Sequence, residues 1–128
     1  MKRAYQPLLR EYLATFPCVA LLGVRQCGKT TLLQTLPRGW THFDLERGAD
    51  QSVIARDPDT FLRLNPRRVT LDEAQRLPEL FPALRVAIDD HRAEKGRFVI
   101  TGSSSPALSR AISESLAGRV GIIEMAPL

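Results

Sequence analysis

Short apolar runs alternate along this chain with longer stretches whose apolar residues recur at helical spacing. Cys18-Val19-Ala20-Leu21-Leu22 is apolar and uncharged throughout and reads as a buried strand. Residues 31–36 follow as a helix that Pro37 and Gly39 end. Thr41-His42-Phe43-Asp44-Leu45 reads as a second strand and Arg68-Val69-Thr70-Leu71 as a third. Between them lie two helical stretches, residues 52–56 and 59–64, broken at Asp57-Pro58 and closed by Asn65-Pro66. Residues 80–93 carry Leu80, Leu84, Ala87 and Ile88 at helical spacing, and Lys95-Gly96 ends the run. Arg97-Phe98-Val99-Ile100-Thr101 is a fourth strand. Residues 106–116 form a helix with Pro106 near its start, and Gly121-Ile122-Ile123-Glu124 is a fifth strand. Residues 1–16 precede all of this as a helical lead-in. Alternation of this kind predicts an α/β fold with a mainly parallel sheet covered on both faces.

Composition narrows the picture. A chain of 128 residues is one domain, long enough to bury a core. Apolar residues make up 44% and charged residues 25%, ordinary values for a globular domain. No stretch approaches the roughly 18 apolar residues of a membrane span. The start, Met1-Lys2-Arg3-Ala4-Tyr5-Gln6-Pro7, lacks the apolar core of a secretion signal, so a cytoplasmic location is expected. The net charge is +4, and the basic residues are scattered from the N-terminus to Arg119, with Arg67-Arg68 the only arginine doublet. That distribution favours a solvated surface over a nucleic-acid face. Cys18 and Cys27 make neither a disulfide framework nor a metal site, and His42 and His91 have no metal-like spacing.

The chemistry begins where the first strand ends. Gly23-Val24-Arg25-Gln26-Cys27-Gly28-Lys29-Thr30 matches G-x-x-x-x-G-K-[ST], the phosphate-binding loop called Walker A, in its strand–loop–helix context. Gly23 and Gly28 permit backbone angles closed to other residues and a close approach to phosphate. The amides of residues 23–31 would point inward as an anion nest, aided by the positive end of the following helix. Lys29 would reach the β- and γ-phosphates, and Thr30 would place its hydroxyl on Mg²⁺. Cys27, beside Lys29, is expected to favour its thiolate, although most residues at such a position simply present an amide.

Val69-Thr70-Leu71-Asp72-Glu73 is the natural partner of this loop, a strand expected beside the first and ending in two carboxylates. Asp72 would hold Mg²⁺ and Glu73 would deprotonate the attacking water. Phe98-Val99-Ile100-Thr101-Gly102-Ser103-Ser104-Ser105 runs from a strand into a hydroxyl cluster. If that strand lies between the first and third, Thr101 or Ser103 would meet the γ-phosphate or the water, and Ser103 is the favoured one. The same segment also reads as a plain turn with Ser105 capping the next helix. Arg119, just before the last strand, is either an arginine finger for a neighbouring subunit or a surface partner of Glu114 or Glu124.

Together, G-V-R-Q-C-G-K-T-T, D-E-A-Q-R-L-P, T-G-S-S and L-A-G-R resemble the motifs of the prokaryotic AAA-type predicted ATPases, in order and over nearly the whole chain. The resemblance implies a three-layer P-loop NTPase fold of the additional-strand, catalytic-glutamate type, with a five-stranded parallel sheet. It implies ATP and Mg²⁺ as ligands. Gly23, Gly28, Lys29 and Thr30 then bind phosphate and metal, Asp72 and Glu73 form Walker B, Ser103 lies in the sensor region and Arg119 in the L-A-G-R element. Arg25 and Gln26 also match the family loop. Family members usually continue into a C-terminal domain, which the resemblance leads one to expect is absent here. The expected function is Mg-dependent ATP hydrolysis, with homo-oligomer formation a way of completing the site. The alternatives are a non-catalytic ATP-binding switch and, further off, a DNA-associated motor. A small-molecule kinase fits least, since the sequence shows neither lid segment nor second substrate pocket, and Glu73 suits water.

Overall fold

The computed structural model describes residues 2–24 and 28–126. The elements run α1 (Lys2–Thr15), β1 (Cys18–Leu22), α2 (Lys29–Leu33), β2 (Thr41–Asp44), α3 (Gly48–Arg56) and α4 (Pro58–Leu64). They continue with β3 (Val69–Asp72), a single 3₁₀ turn (Ala74–Arg76), α5 (Leu80–Asp90), β4 (Phe98–Gly102), α6 (Pro106–Leu116) and β5 (Val120–Glu124). All five strands are parallel, in the order β2-β3-β4-β1-β5.

Side chains alternate across a strand with period two, and here that alternation splits the core in two. Cys18, Ala20 and Leu22 of β1 face one way with Val69, Leu71, Phe98 and Ile100, against α4, α5 and α6. Val19, Leu21, Val99 and Ile123 face the other way, against Leu9 of α1 and Leu32 and Leu33 of α2. Central strands β1 and β4 are buried at every position, whereas β2 at one edge is half exposed. This is why the central strands read as unbroken apolar runs.

The strand order corrects one expectation. The strand that ends in Asp72-Glu73 does not lie beside β1; β4 pairs with both β1 and β3 and separates them. The ladder places Thr101 opposite Leu21 and brings the end of β4 between the loop after β1 and the carboxylates after β3. Several boundaries also move. α2 begins at Lys29 rather than Thr31, and its tail tightens, with Thr35 and Leu36 donating to Leu32 and Leu33. α3 begins four residues before the expected start, at Gly48 rather than Ser52. α5 ends at Asp90 rather than at residue 93. There the chain turns away because Gly96 N–H donates to Phe16 O and Glu94 is gripped by Arg67 at 2.7 and 2.8 Å. Arg97 stands outside β4 and is 2% exposed, its guanidinium donating to Pro66 O and Ala87 O.

Candidate functional site

The site forms where β1, β3 and β4 end on the same side of the sheet. Gly23 N–H continues the β1–β4 ladder by donating to Gly102 O at 3.2 Å, so the glycine loop leaves from a fixed point. Arg25, Gln26 and Cys27 lie outside the described residues. Gly28 has φ 93° and ψ 18°, a left-handed conformation that a Cβ would strain. Its carbonyl accepts from Leu32 N–H and opens α2. Val24 is exposed and Thr31 half-buried.

Lys29 is 2% exposed, unusual for a lysine. Its ammonium is folded onto the start of the loop, donating to Gly23 O at 2.6 Å and Val24 O at 3.3 Å. Thr30, the next residue, is exposed and donates from Oγ1 to Asp72 Oδ2 at 3.1 Å across 42 residues of sequence. A hydroxyl and a carboxylate therefore meet at the mouth of the loop.

Thr101 fixes the two carboxylate residues relative to one another. Its buried hydroxyl donates to Asp72 Oδ1 and accepts from Glu73 N–H at 3.0 Å. Glu73 leaves the strand with φ 57°, a left-handed turn that a non-glycine residue adopts only at some cost. That turn points its side chain to Gln75, whose Nε2 donates to Glu73 Oε1 at 2.7 Å.

The donor set suits one kind of metal. Among the described residues no group of three or more His, Cys, Asp or Glu could hold an ion. One carboxylate beside one hydroxyl is a hard oxygen pair, and Mg²⁺ is usually held by one or two carboxylates together with phosphate and water. The residues fit Mg²⁺ arriving with a phosphate ligand rather than a self-sufficient protein cage.

Other expected site residues are placed differently. Ser103 is half-buried and makes no side-chain hydrogen bond among the described residues; Thr101 is the β4 residue that touches Asp72 and Glu73. Ser104 donates to Glu124 Oε2 at 3.1 Å, and Ser105 caps α6 by accepting from Leu108 N–H. Arg119 pairs with neither Glu114 nor Glu124. Its Nε and Nη2 donate to the two carboxylate oxygens of Asp89 on α5 at 2.8 and 2.9 Å. That pairing holds the Asp89 carboxyl below its ordinary range and raises the guanidinium.

A second feature was not legible in the sequence. An open cleft of about 260 Å³ adjoins the Thr30–Asp72 pair on the β2 side, lined among others by His42, Asp44 and Arg47. His42, read as incidental from its spacing, lies with Nδ1 2.7 Å from Thr70 Oγ1. The register that sets Asp44 opposite Asp72 could have been inferred only from β2 and β3 being neighbours. For Gln75 a signal did exist: it falls two residues after Glu73, inside the D-E-A-Q-R-L-P segment.

A family model described as an AAA domain matches residues 15–128. Two curated mycobacterial proteins described as uncharacterized, one from Mycobacterium tuberculosis and one from Mycobacterium bovis, are each 44% identical to the chain over 122 residues. The match covers 94% of this chain and 27% of each relative, so the chain spans about a quarter of their length. Among solved structures, a Walker-type ATPase of Pyrococcus abyssi aligns over all of this chain and 54% of its own, with a TM-score of 0.70 and 21% identity. At that identity the likeness is one of fold.

Proposed function

The chain belongs to the AAA domain family, and on that premise we propose that it binds ATP with Mg²⁺ and transfers the γ-phosphoryl group to water. The observation that carries this reading is the meeting of Thr30 with Asp72, and of Thr101 with Asp72 and Glu73, at the mouth of the glycine loop. The amides of residues 23–31 would line the phosphates. Lys29 would trade two neutral carbonyl partners for charged phosphate oxygens, a stronger class of hydrogen bond.

Thr30 Oγ1 and Asp72 would hold Mg²⁺, which when bound neutralises charge on the phosphate oxygens. Glu73 would accept a proton from the attacking water while the bond between the γ-phosphorus and the bridging oxygen breaks and ADP leaves. Thr101 holds the Asp72 carboxylate and the Glu73 backbone N–H in fixed relation during this step. Ser103 would follow the γ-phosphate from the end of β4. Arg119 would act on a second copy's phosphate only after leaving Asp89, which makes any such role dependent on assembly. Adenine as the base rests on the family alone. No described helix is long and apolar enough to cross a membrane.

The test is phosphate release from the whole chain with Mg-ATP, at several protein concentrations, beside Glu73→Gln and Arg119→Ala. Glu73→Gln is expected to keep ATP binding and lose about 100-fold or more of the turnover, the range ascribed to a positioned base. Turnover that rises faster than protein concentration and is lost in Arg119→Ala would place the arginine at a partner's site. Equal rates for parent and Glu73→Gln would remove the assigned base. Tight ATP binding without release would make the chain a nucleotide-dependent switch.

A further inference from the structure

Gln75 carries an observation that the hydrolysis reading does not use. Its Nε2 donates to Glu73 Oε1 at 2.7 Å, which turns its own Oε1 inward. That oxygen is buried and has no hydrogen-bond partner among the described residues. Buried acceptors are almost always satisfied, so an orphan in a native fold calls for a reason. Reversing the amide would bring oxygen against the Glu73 carboxylate, which is worse. The orphan is therefore what the chain accepts in order to keep a donor on Glu73.

The surroundings are built for this arrangement. The left-handed turn at Glu73 and the 3₁₀ turn over Ala74–Arg76 bring the Gln75 amide back over the end of β4. There it rests against Gly102: a Cβ at that position would lie 2.7 Å from Gln75 Oε1. The glycine of T-G-S-S and the glutamine of D-E-A-Q thus depend on one another, although 27 residues separate them in sequence.

We propose that Gln75 is a positioning residue for Glu73: its amide selects one rotamer of a carboxylate that would otherwise sample several, at the expense of its own buried oxygen. The inference rests on Glu73 acting as the base in ATP hydrolysis. A glutamate side chain free to rotate would spend only part of its time aimed at the attacking water, so loss of the brace reduces the rate of the chemical step and leaves nucleotide binding alone. Gln75→Met fills similar space without a donor or a buried acceptor. A residue kept for packing would lose stability and activity together. A brace that bears an orphan oxygen loses activity while stability holds or rises.

The experiment compares the whole parent chain with Gln75→Met and Gln75→Asn, whose shorter arm keeps the amide but falls short of Glu73. ATP binding, kcat, KM and Tm are measured for each. Both variants are expected to lose about tenfold or more in kcat, the scale seen when a supporting residue behind a reactive group is removed. KM and ATP affinity should stay within about twofold, and Gln75→Met should melt at or above the parent temperature. In a Glu73→Gln background, Gln75→Met should change the residual rate less than twofold, since nothing remains to be aimed. A kcat within twofold of the parent for both variants overturns the proposal, as does a joint fall in Tm, affinity and kcat. A parent without Glu73-dependent turnover fails one step earlier: it overturns the hydrolysis reading, and this inference with it.

Discussion

Replacing Thr101 by valine keeps the shape of a side chain that is 1% exposed and deletes a single oxygen. That oxygen donates to Asp72 Oδ1 and accepts from Glu73 N–H. The second bond joins neutral groups and is worth about 1 kcal/mol net, while a bond to an ionised carboxylate is worth about 1.5–3 kcal/mol. Asp72 is partly exposed, so water recovers some of the larger figure. A loss of about 2–3 kcal/mol follows for Thr101→Val, counting both bonds. Thr101→Ser is the control: it keeps the hydroxyl and gives up one methyl group, about 1 kcal/mol. For a domain of this size roughly 4 °C of Tm accompanies each kcal/mol, so valine should lower Tm by about 8–12 °C and serine by about 4 °C. Thermal unfolding without nucleotide, followed by circular dichroism, reads this directly. A valine variant as stable as the serine variant would mean that the hydroxyl does not tie the two strand ends together, and the account of how Asp72 and Glu73 are held would fall.

Lys29→Ala removes a nearly buried ammonium from the start of the glycine loop and is expected to weaken ATP binding at least about 100-fold, the effect of losing a desolvated charge from a phosphate site; titration with a fluorescent ATP analogue checks it, and unchanged affinity would refute the loop assignment. Burial pushes the Cys18 thiol from an ordinary 9.0 up to about 12, against the pull of the Arg97 charge in the other direction. The unfolded chain ionises first, so this contribution is complete below about pH 9 and is lost as pH rises through about 12. Cys18→Val should flatten the decline in stability across that window in urea titrations, and parallel profiles for the two proteins would contradict the burial argument.

The glycine loop was legible because its chemistry is local. Gly23, Gly28, Lys29 and Thr30 form one motif in the sequence, and the strand before it and the hydroxyl after the lysine all lie within a few residues. The apolar run of β1 likewise declared a strand buried on both faces. Helix ends were less legible. The break at Asp57-Pro58 is read from the sequence, but α5 stops at Asp90 because Gly96 N–H is bound to Phe16 O, just past the end of α1.

What only the tertiary structure decided is which distant segments meet. The sequence by itself determined five strands, the glycine-loop motif and the acidic strand end, each encoded by neighbours two to eight residues apart. It had Thr101 or Ser103 meeting the γ-phosphate or the attacking water, with Ser103 favoured, and did not foresee the contact of Thr101 with the Asp72 carboxylate and the Glu73 N–H, because that contact depends on β4 inserting between β1 and β3 and on the register it adopts there. Thr101 reaches Asp72 across 29 residues, and Arg119 reaches Asp89 across 30. Parallel strands are joined by long crossovers, so partners across a ladder are always far apart in sequence. Their pairing is fixed by burying both faces of the whole sheet at once, a condition that no local pattern states.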